Sequence, residues 1–432
     1  MHNSGSIAVH GHSRPGGRVH HEQAKEPTEF ISTSASDAKS VAILNDIFRK
    51  AAREKVSDVH IEDNEGGCVI RFRNRGEMTV VAEHTIQESR EFDSKIRMRC
   101  KLPLVERMTP LDGKFRFDVD GRHVDVRVSI LPLGTGQSIV CRLLDQSNNL
   151  MRLDDLQMPE AIRESIRHVI SQQQGLFLVT GPTGSGKTTT LYGILQQLNT
   201  TKVKIITIED PIEFRVPGIV QAQTNQKLTF ASALKSMLRQ DPDVILVGEI
   251  RDSDTARIAI QASLTGHIVL STLHTNSATV TLNRLLDLDV DPNALAAAMG
   301  GFMAQRLVRT LCPHCRVATP ISAYARHQMT ACGLTTEQID AVDTLYEPCG
   351  DGCEHCFEGW TGRTPVFELI MPTPEARLAA EEGNLKALER AARLQPQYRS
   401  LGQHAMELAM QGVTSMTEAI AVTGSSQVPI ET

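Results

Sequence analysis

Apolar positions along this chain repeat with two different periods, and the change of period divides it. Leu44, Ile47, Phe48 and Ala51 recur at the spacing of one helix face, so a helix capped by Asp37 is predicted at the start of the patterned region. In Val124–Ile130 the apolar residues alternate with Asp125, Arg127 and Ser129, which predicts a half-buried strand. The segment 69–75 likewise sets Arg71, Arg73 and Arg75 on one face. Residues 38–145 therefore read as a small α+β domain with an arginine-bearing sheet surface. From about residue 160 the pattern becomes short unbroken apolar runs, at 175–180, 203–208, 244–247 and 268–272, separated by helical stretches. Strands without polar alternation need cover on both faces, so residues 160–311 read as an α/β domain.

The remaining segments have weaker patterns. Residues 146–159 are polar and read as a linker, and residues 358–432 are rich in Ala, Leu and Glu and are expected to be mainly helical. Residues 1–37 carry no apolar period. Their histidines at 2, 10, 12, 20 and 21 could bind metal, but a flexible solvated tail is the simpler reading.

Composition narrows the class. A length of 432 residues fits about three domains, and 41% hydrophobic with 22% charged residues excludes wholesale disorder. The net charge of -6 argues against a strongly basic nucleic-acid binder. No uninterrupted apolar stretch is long enough to span a bilayer, and the first residues do not read as a secretory signal. A cytosolic protein that can still dock on a membrane complex is the expectation.

Candidate chemistry starts at Gly181, Pro182, Thr183, Gly184, Ser185, Gly186, Lys187 and Thr188, which satisfy G-x-x-x-x-G-K-[ST]. An apolar strand precedes this run, and a helical segment from Thr189 to Leu198 follows. Curled backbone N–H groups and a helix N-terminus suit phosphate oxygens. Lys187 would reach the β- and γ-phosphates, and the Thr188 hydroxyl would ligate Mg²⁺. The acidic run 207–213 is either a surface turn or a carboxylate source for Mg²⁺. Its place at the end of a neighbouring strand favours the second reading, with Glu209 as the candidate. In 243–249 four apolar residues lead to Gly248, where a magnesium-holding Asp is usual, and then to Glu249, which can polarise an attacking water. His274 ends a further apolar strand that begins near His267. It is either structural or a sensor of the γ-phosphate.

Nine cysteines are present, six of them between residues 312 and 356. Cys68, Cys100 and Cys141 read as buried apolar residues. Cys312–Cys315 and Cys353–Cys356 are two C-x-x-C pairs, and four thiolates close a tetrahedral, structural Zn²⁺ site across residues 312–357. A redox dithiol, or a ligand swap with His314, His355, Cys349 or Cys332, remains an alternative.

Taken in order, ITIEDPIE (206–213), LRQDPDVILVGEIRD (238–252), TGHIVLSTLHTN (265–276) and AQRLVRTLCPHC (304–315) resemble the GspE/PilB family, the ATPases of type II secretion and type IV pilus assembly. The resemblance extends to VSDVHIE (56–62) and GVTSMTEAIAVTG (412–424). It implies a RecA-like P-loop motor after a PAS-like domain, assembled as a homo-hexamer that works with an inner-membrane platform protein. The chain would then be cytoplasmic and peripheral at that membrane, with ATP, Mg²⁺ and Zn²⁺ as cofactors. It also implies that residues 181–189, Thr189 included, bind nucleotide. Glu209 and Glu213 would belong to an acidic box, Glu249 would be the catalytic glutamate, and His267 and His274 would form a histidine box. Arg127 would be presented to ATP across domains, and Cys312, Cys315, Cys353 and Cys356 would be the metal knuckles. Related retraction ATPases lack the knuckles. Lys114 stands where many relatives carry arginine, and lysine cannot make the planar two-pronged contact. A RecA-like nucleic-acid translocase and a non-hydrolysing ATP-binding module are the rival readings. The acidic balance counts against the first, and the intact Lys187 and Glu249 against the second.

Overall fold

The computed structural model describes residues 29–31, 38–74, 77–145 and 151–424. It divides into two units, Met1–Ser147 and Asn148–Thr432. Asp37, Arg75 and the histidines of the first 21 residues lie outside the described residues.

In the first unit α1 (Ala38–Arg53) precedes three strands, β1 (Asp58–Asn64), β2 (Gly67–Asn74) and β3 (Glu77–His84). Helix α2 (Ile86–Cys100) and the strands β4 (Leu111–Val119), β5 (Arg122–Leu133) and β6 (Gly136–Asp145) follow. The strands form one antiparallel sheet in the order β3-β2-β1-β6-β5-β4. Val124, Val126, Val128 and Ile130 of β5 are buried beside Leu44, Phe48 and Ala51 of α1, as the two periodicities require. Thr85 starts α2 with a reciprocal capping box to Glu88. Phe30, in the segment expected to be a flexible tail, is 3% exposed and packs its ring on Phe48, Phe115 and Phe117. Its backbone exchanges two hydrogen bonds with the Asn45 amide. An aromatic residue followed by a bare polar stretch has no period to reveal it, which is why the pattern missed this anchor.

The second unit opens with one turn of 3₁₀ helix (Leu153–Asp155) and α3 (Glu160–Ile170). Leu153, Leu156 and Met158 are buried in its core, so the second half of the predicted linker is part of the unit. Alternating strands and helices follow: β7 (Gly175–Thr180), α4 (Lys187–Leu198), β8 (Ile205–Glu209), β9 (Val220–Gln223), α5 (Phe230–Met237) and β10 (Val244–Val247). Then come α6 (Ser253–Leu264), β11 (Ile268–Leu273), α7 (Val280–Leu286), α8 (Pro292–Ala298) and β12 (Met299–Leu311). The last part comprises β13 (Val317–Pro320), α9 (Ala323–Ala331), α10 (Thr336–Asp340), β14 (Thr344–Glu347) and β15 (Trp360–Ile370), then α11 (Pro374–Glu381), α12 (Leu385–Arg393), α13 (Leu401–Met410) and α14 (Met416–Gly424).

Seven strands form the main sheet, in the order β15-β12-β7-β11-β10-β8-β9. Six run parallel, and β15 pairs antiparallel with β12. Both faces are covered. Leu176 and Leu178 point into one core, Phe177 and Val179 into the other, which is why β7 shows no polar alternation. The C-terminal region is not wholly helical: β15 is an 11-residue strand. Its buried half, Val366–Ile370, carries Glu368 among apolar neighbours.

Candidate active site

Ligands of an open parallel sheet meet the C-terminal ends of its strands, and a cavity of about 610 Å³ in the second unit lies there. Thr183–Thr189 line it, together with Glu209 from the end of β8, Glu249 after β10, and His274 after β11. Gly181 and Pro182 supply the turn from β7. His267 is not brought in. It sits at the other end of β11, where its carbonyl accepts from Gly175 N–H and its Nδ1 lies 2.9 Å from the Ala262 carbonyl.

The loop that joins β7 to α4 needs glycine twice for its curve, at Gly184 (φ +79°) and Gly186 (φ +87°). The residues present fit an anion. The buried Ser185 Oγ has no hydrogen-bond partner. The Lys187 ammonium donates to two carbonyls of its own loop, Gly181 at 2.7 Å and Pro182 at 2.9 Å. Burial pushes this ammonium down to about 8; Glu249 opposes the shift and Arg306 adds to it. Thr188 and Thr189 are exposed in the first turn of α4.

The two glutamates differ in kind. Glu209 is 4% exposed and already held by three donors. Thr207 Oγ1 (2.5 Å) and Gln221 Nε2 (3.2 Å) reach its Oε1, and Tyr192 O–H (2.5 Å) reaches its Oε2. Burial, followed by the adjacent carboxylate, pushes the Tyr192 phenol up, so it stays a donor at any working pH. Of four acceptor directions on Glu209 one remains, on Oε2. Glu249 is more open. Arg251 pairs with its Oε1, and His274 Nε2 lies 3.5 Å from its Oε2. Arg251 also lies 3.9 Å from Asp210. Burial, then the Lys187 charge, pushes the His274 imidazole down, so it is neutral near pH 7.

Sequence reasoning missed Tyr192, Gln221 and Arg251. Arg251 stands two residues past Glu249 in a stretch already singled out, so its place could have been guessed. Nothing in the spacing of Tyr192 or Gln221 points to Glu209.

Arg127 belongs to the first unit. It lies on the polar face of the sheet, directly opposite Lys114 on β4 and Arg142 on β6. Like charges directly opposed on adjacent strands are unfavourable by themselves. Asp58, opposite Arg142 on the next strand, binds that guanidinium at 2.8 Å.

The four predicted cysteines come together in the second unit, their sulfurs all within 4.8 Å of one another. Cys312–Cys353, Cys353–Cys356 and Cys315–Cys356 are 3.7, 3.6 and 3.5 Å apart. These are close to the edges, about 3.8 Å, of a tetrahedron with zinc–sulfur arms of about 2.3 Å. The set could hold zinc. Cys332 and Cys349 are free thiols outside the set, and the His314 and His355 rings lie against each other, tilted by 43° with centres 4.3 Å apart. The segment between the knuckles packs on the rest of its unit: Met329, Leu334, Ile339 and Leu345 are buried in the main core. Four apolar residues scattered over a long insert look sparse in sequence, but α9, α10 and the β13–β14 pair bring them to one side.

The family model for type II/IV secretion system proteins matches residues 33–421. The chain belongs to this family. Within it, the type II secretion system protein E of Klebsiella pneumoniae is 42% identical over 399 residues, covering 92% of this chain and 78% of its own length. The type II secretion system ATPase E of Vibrio cholerae is 40% identical over 402 residues, with the same coverage. Solved structures of similar fold include the Legionella pneumophila ATPase DotB, with a TM-score of 0.66 at 21% identity, covering 93% of this chain and 98% of that one. The pilus retraction motor PilT with bound ADP gives 0.61 at 24%, covering 88% and 96%. The fold class is thus that of the secretion ATPases, an α/β P-loop motor preceded by a small α+β domain. No helix among the described residues is long and apolar enough to cross a membrane.

Proposed function

We propose that this chain hydrolyses ATP with Mg²⁺ to power assembly of a type IV pilus or a type II secretion pseudopilus at the inner membrane, working as a homo-hexamer against a platform protein. The observation that carries this reading is the convergence of Lys187, Thr188, Glu209 and Glu249 on one cavity at the C-terminal edge of a parallel sheet. The family membership and the names of the relatives support the machine it serves. The net charge of -6 counts against the nucleic-acid translocase.

Lys187 exchanges its two loop carbonyls for the β- and γ-phosphate oxygens, and the backbone N–H groups of 183–188 with Ser185 Oγ complete the cradle. Thr188 Oγ1 and Thr189 face the same phosphates. Mg²⁺, when bound, neutralises charge on the phosphates. Thr188 would hold it directly, and Glu209, with one acceptor direction left, through that oxygen or a bound water. Glu249 accepts the proton of the attacking water, which requires Arg251 to share or release it. His274, neutral, donates or accepts beside Glu249. Arg127 would be presented to the transferring phosphate from another domain or subunit and add positive charge there. The tetrathiolate site, its four positions filled by sulfur, would hold Zn²⁺ as a structural ion only.

The test is phosphate release from Mg-ATP by the full chain. Wild type turns over and needs Mg²⁺, while Lys187→Ala loses turnover together with nucleotide binding. A wild-type protein that binds nucleotide and never releases phosphate contradicts the reading.

A further inference from the structure

Two of the three loop glycines are shaped by a neighbour that belongs to no nucleotide motif. A Cβ on Gly184 would meet nothing within 4 Å. A Cβ on Gly181 would stand 2.5 Å from the Gln305 carbonyl oxygen, 2.6 Å from the loop's own Ser185 Oγ and 3.1 Å from Arg306 Nη1. A Cβ on Gly186, where φ is already +87°, would stand 2.7 Å from Gln305 Nε2. One dipeptide on the adjacent strand β12 thus packs against both ends of the phosphate loop.

We propose that Gln305 and Arg306 are positioning residues for this pocket: Gln305 fixes the curve of the phosphate loop from behind, and Arg306 ties strand β12 to the segment that follows His274. The inference rests on the reading of this pocket as a Mg-nucleotide site. Strand β12 pairs with β7 up to Ala304 and Thr180, so the dipeptide begins where β7 gives way to the loop. Gln305 is 2% exposed. Its Oε1 accepts from Thr190 Oγ1 at 2.8 Å, which turns Nε2 toward Gly186. Gly186 and Thr190 flank Lys187 and Thr188, so one amide braces the start of α4 on both sides of the residues that would meet phosphate and metal.

Arg306 is the more costly of the two. A guanidinium only 7% exposed has lost most of its hydration, which is costly for a charged group. Its hydrogen bonds go to Gln305 and Asn276: Nη1 to the Gln305 carbonyl at 3.0 Å, and Nη2 to the Asn276 carbonyl at 2.8 Å and Oδ1 at 3.4 Å, with the buried Glu368 carboxylate as a counter-charge that it does not hydrogen-bond. Asn276 is two residues past His274. The forked guanidinium thus joins strand β12, at the residue that backs the phosphate loop, to the loop that carries His274, a geometry that lysine's single ammonium does not reproduce. Burial lowers the guanidinium's proton affinity, but an arginine retains its charge at any working pH.

The two residues carry different signatures. Gln305→Met keeps the volume and removes the amide. The cradle is then not pre-formed, and ordering it on binding weakens ADP affinity about tenfold, read by calorimetry on the full chain. Arg306→Met leaves Gln305 and the cradle in place but frees the His274 segment from the strand behind the loop. ADP affinity then stays within about threefold, while kcat for Mg-ATP falls at least about tenfold, since small misplacements at a reacting centre cost up to about a hundredfold. Values are taken per binding-competent site from the calorimetric stoichiometry, so partial unfolding does not mimic either result. Arg306→Lys, which keeps the charge without the fork, carries the same expectation if Arg306→Met does not fold. Wild-type ADP affinity in Gln305→Met, or wild-type kcat per site in the Arg306 variant that folds, overturns the corresponding half; a purely structural role predicts both. If wild type binds ADP without hydrolysing ATP, the ATPase reading fails while the Gln305 result still decides. If wild type binds no ADP, both fail together.

Discussion

The phosphate-loop pocket draws its side chains from the ends of four strands and the first turn of a helix, while the cysteine cluster draws four sulfurs from two short loops. The pocket is polar and partly open, and its charged groups are held by one another: Glu249 by Arg251, Glu209 by Tyr192, Thr207 and Gln221. The cluster is closed. Its four ligands would saturate a metal, and its supporting insert leans on the apolar core. The difference teaches that the first is built to change partners and the second is not. Removing a metal should therefore damage the insert and spare the pocket, whereas changing protonation should alter the pocket and spare the insert.

The largest effect that can break this comparison comes from the cluster. Cys353→Ser removes one of four thiolates, and apparent binding energies for structural zinc are on the order of 10 kcal/mol. Zinc analysis of wild type should give one ion per chain, and the variant none. Hydrogen exchange should rise across residues 312–357. Because Met329, Leu334, Ile339 and Leu345 remain in the core, the insert loosens without wholly unfolding, and ADP affinity stays within about threefold. A parallel collapse of ADP affinity would show that the two regions are one cooperative structure.

A smaller effect sharpens the polar side. Tyr192→Phe removes the donor to Glu209 Oε2 and leaves a buried carboxylate short of one partner. Urea unfolding should show a loss of about 1–3 kcal/mol. No loss would mean that Glu209 is supported by Thr207 and Gln221 alone.

These two regions also mark how far the sequence was legible. Contiguous signals survived: the glycine-lysine loop, the unbroken apolar strands and the paired cysteine spacings all stand as elements or clusters. Glu209, Glu249 and His274 reach one cavity because strand ends in a parallel sheet must converge. What escaped was pairing between distant residues. Tyr192 and Glu209 are joined only by the fold, and Phe30 is anchored by rings on α1 and β4. The strand β15 was lost because the region after it is helical, and its own pairing partner, β12, lies some 50 to 70 residues earlier. Arg127 and Lys114 align across the first unit's sheet, a register that one-strand periodicity does not supply.

The smallest expected effect is one of pH. The free Lys187 ammonium is pushed down to about 8 from 10.5. Bound phosphate favours its charged form and raises it again. Below about pH 8 the lysine is already protonated and binding takes up no proton. Above it, binding must take up a proton, so ADP affinity falls as pH rises, by at most about tenfold per unit. Calorimetry in buffers of different ionisation enthalpy should show uptake approaching one proton near pH 9 and almost none at pH 7. Equal uptake at both values would remove Lys187 from the phosphate site.

The central claim is that Glu249 activates water in a pocket whose loop binds the nucleotide, and one comparison tests it most directly: Mg-ATP turnover and ATP binding, measured on the same preparations of wild type and Glu249→Gln. The amide keeps the shape and cannot take the proton. The account predicts ATP affinity within a few-fold of wild type and turnover at least about a hundredfold slower. Near-normal turnover with intact binding would contradict it and send the search for the base elsewhere in the pocket.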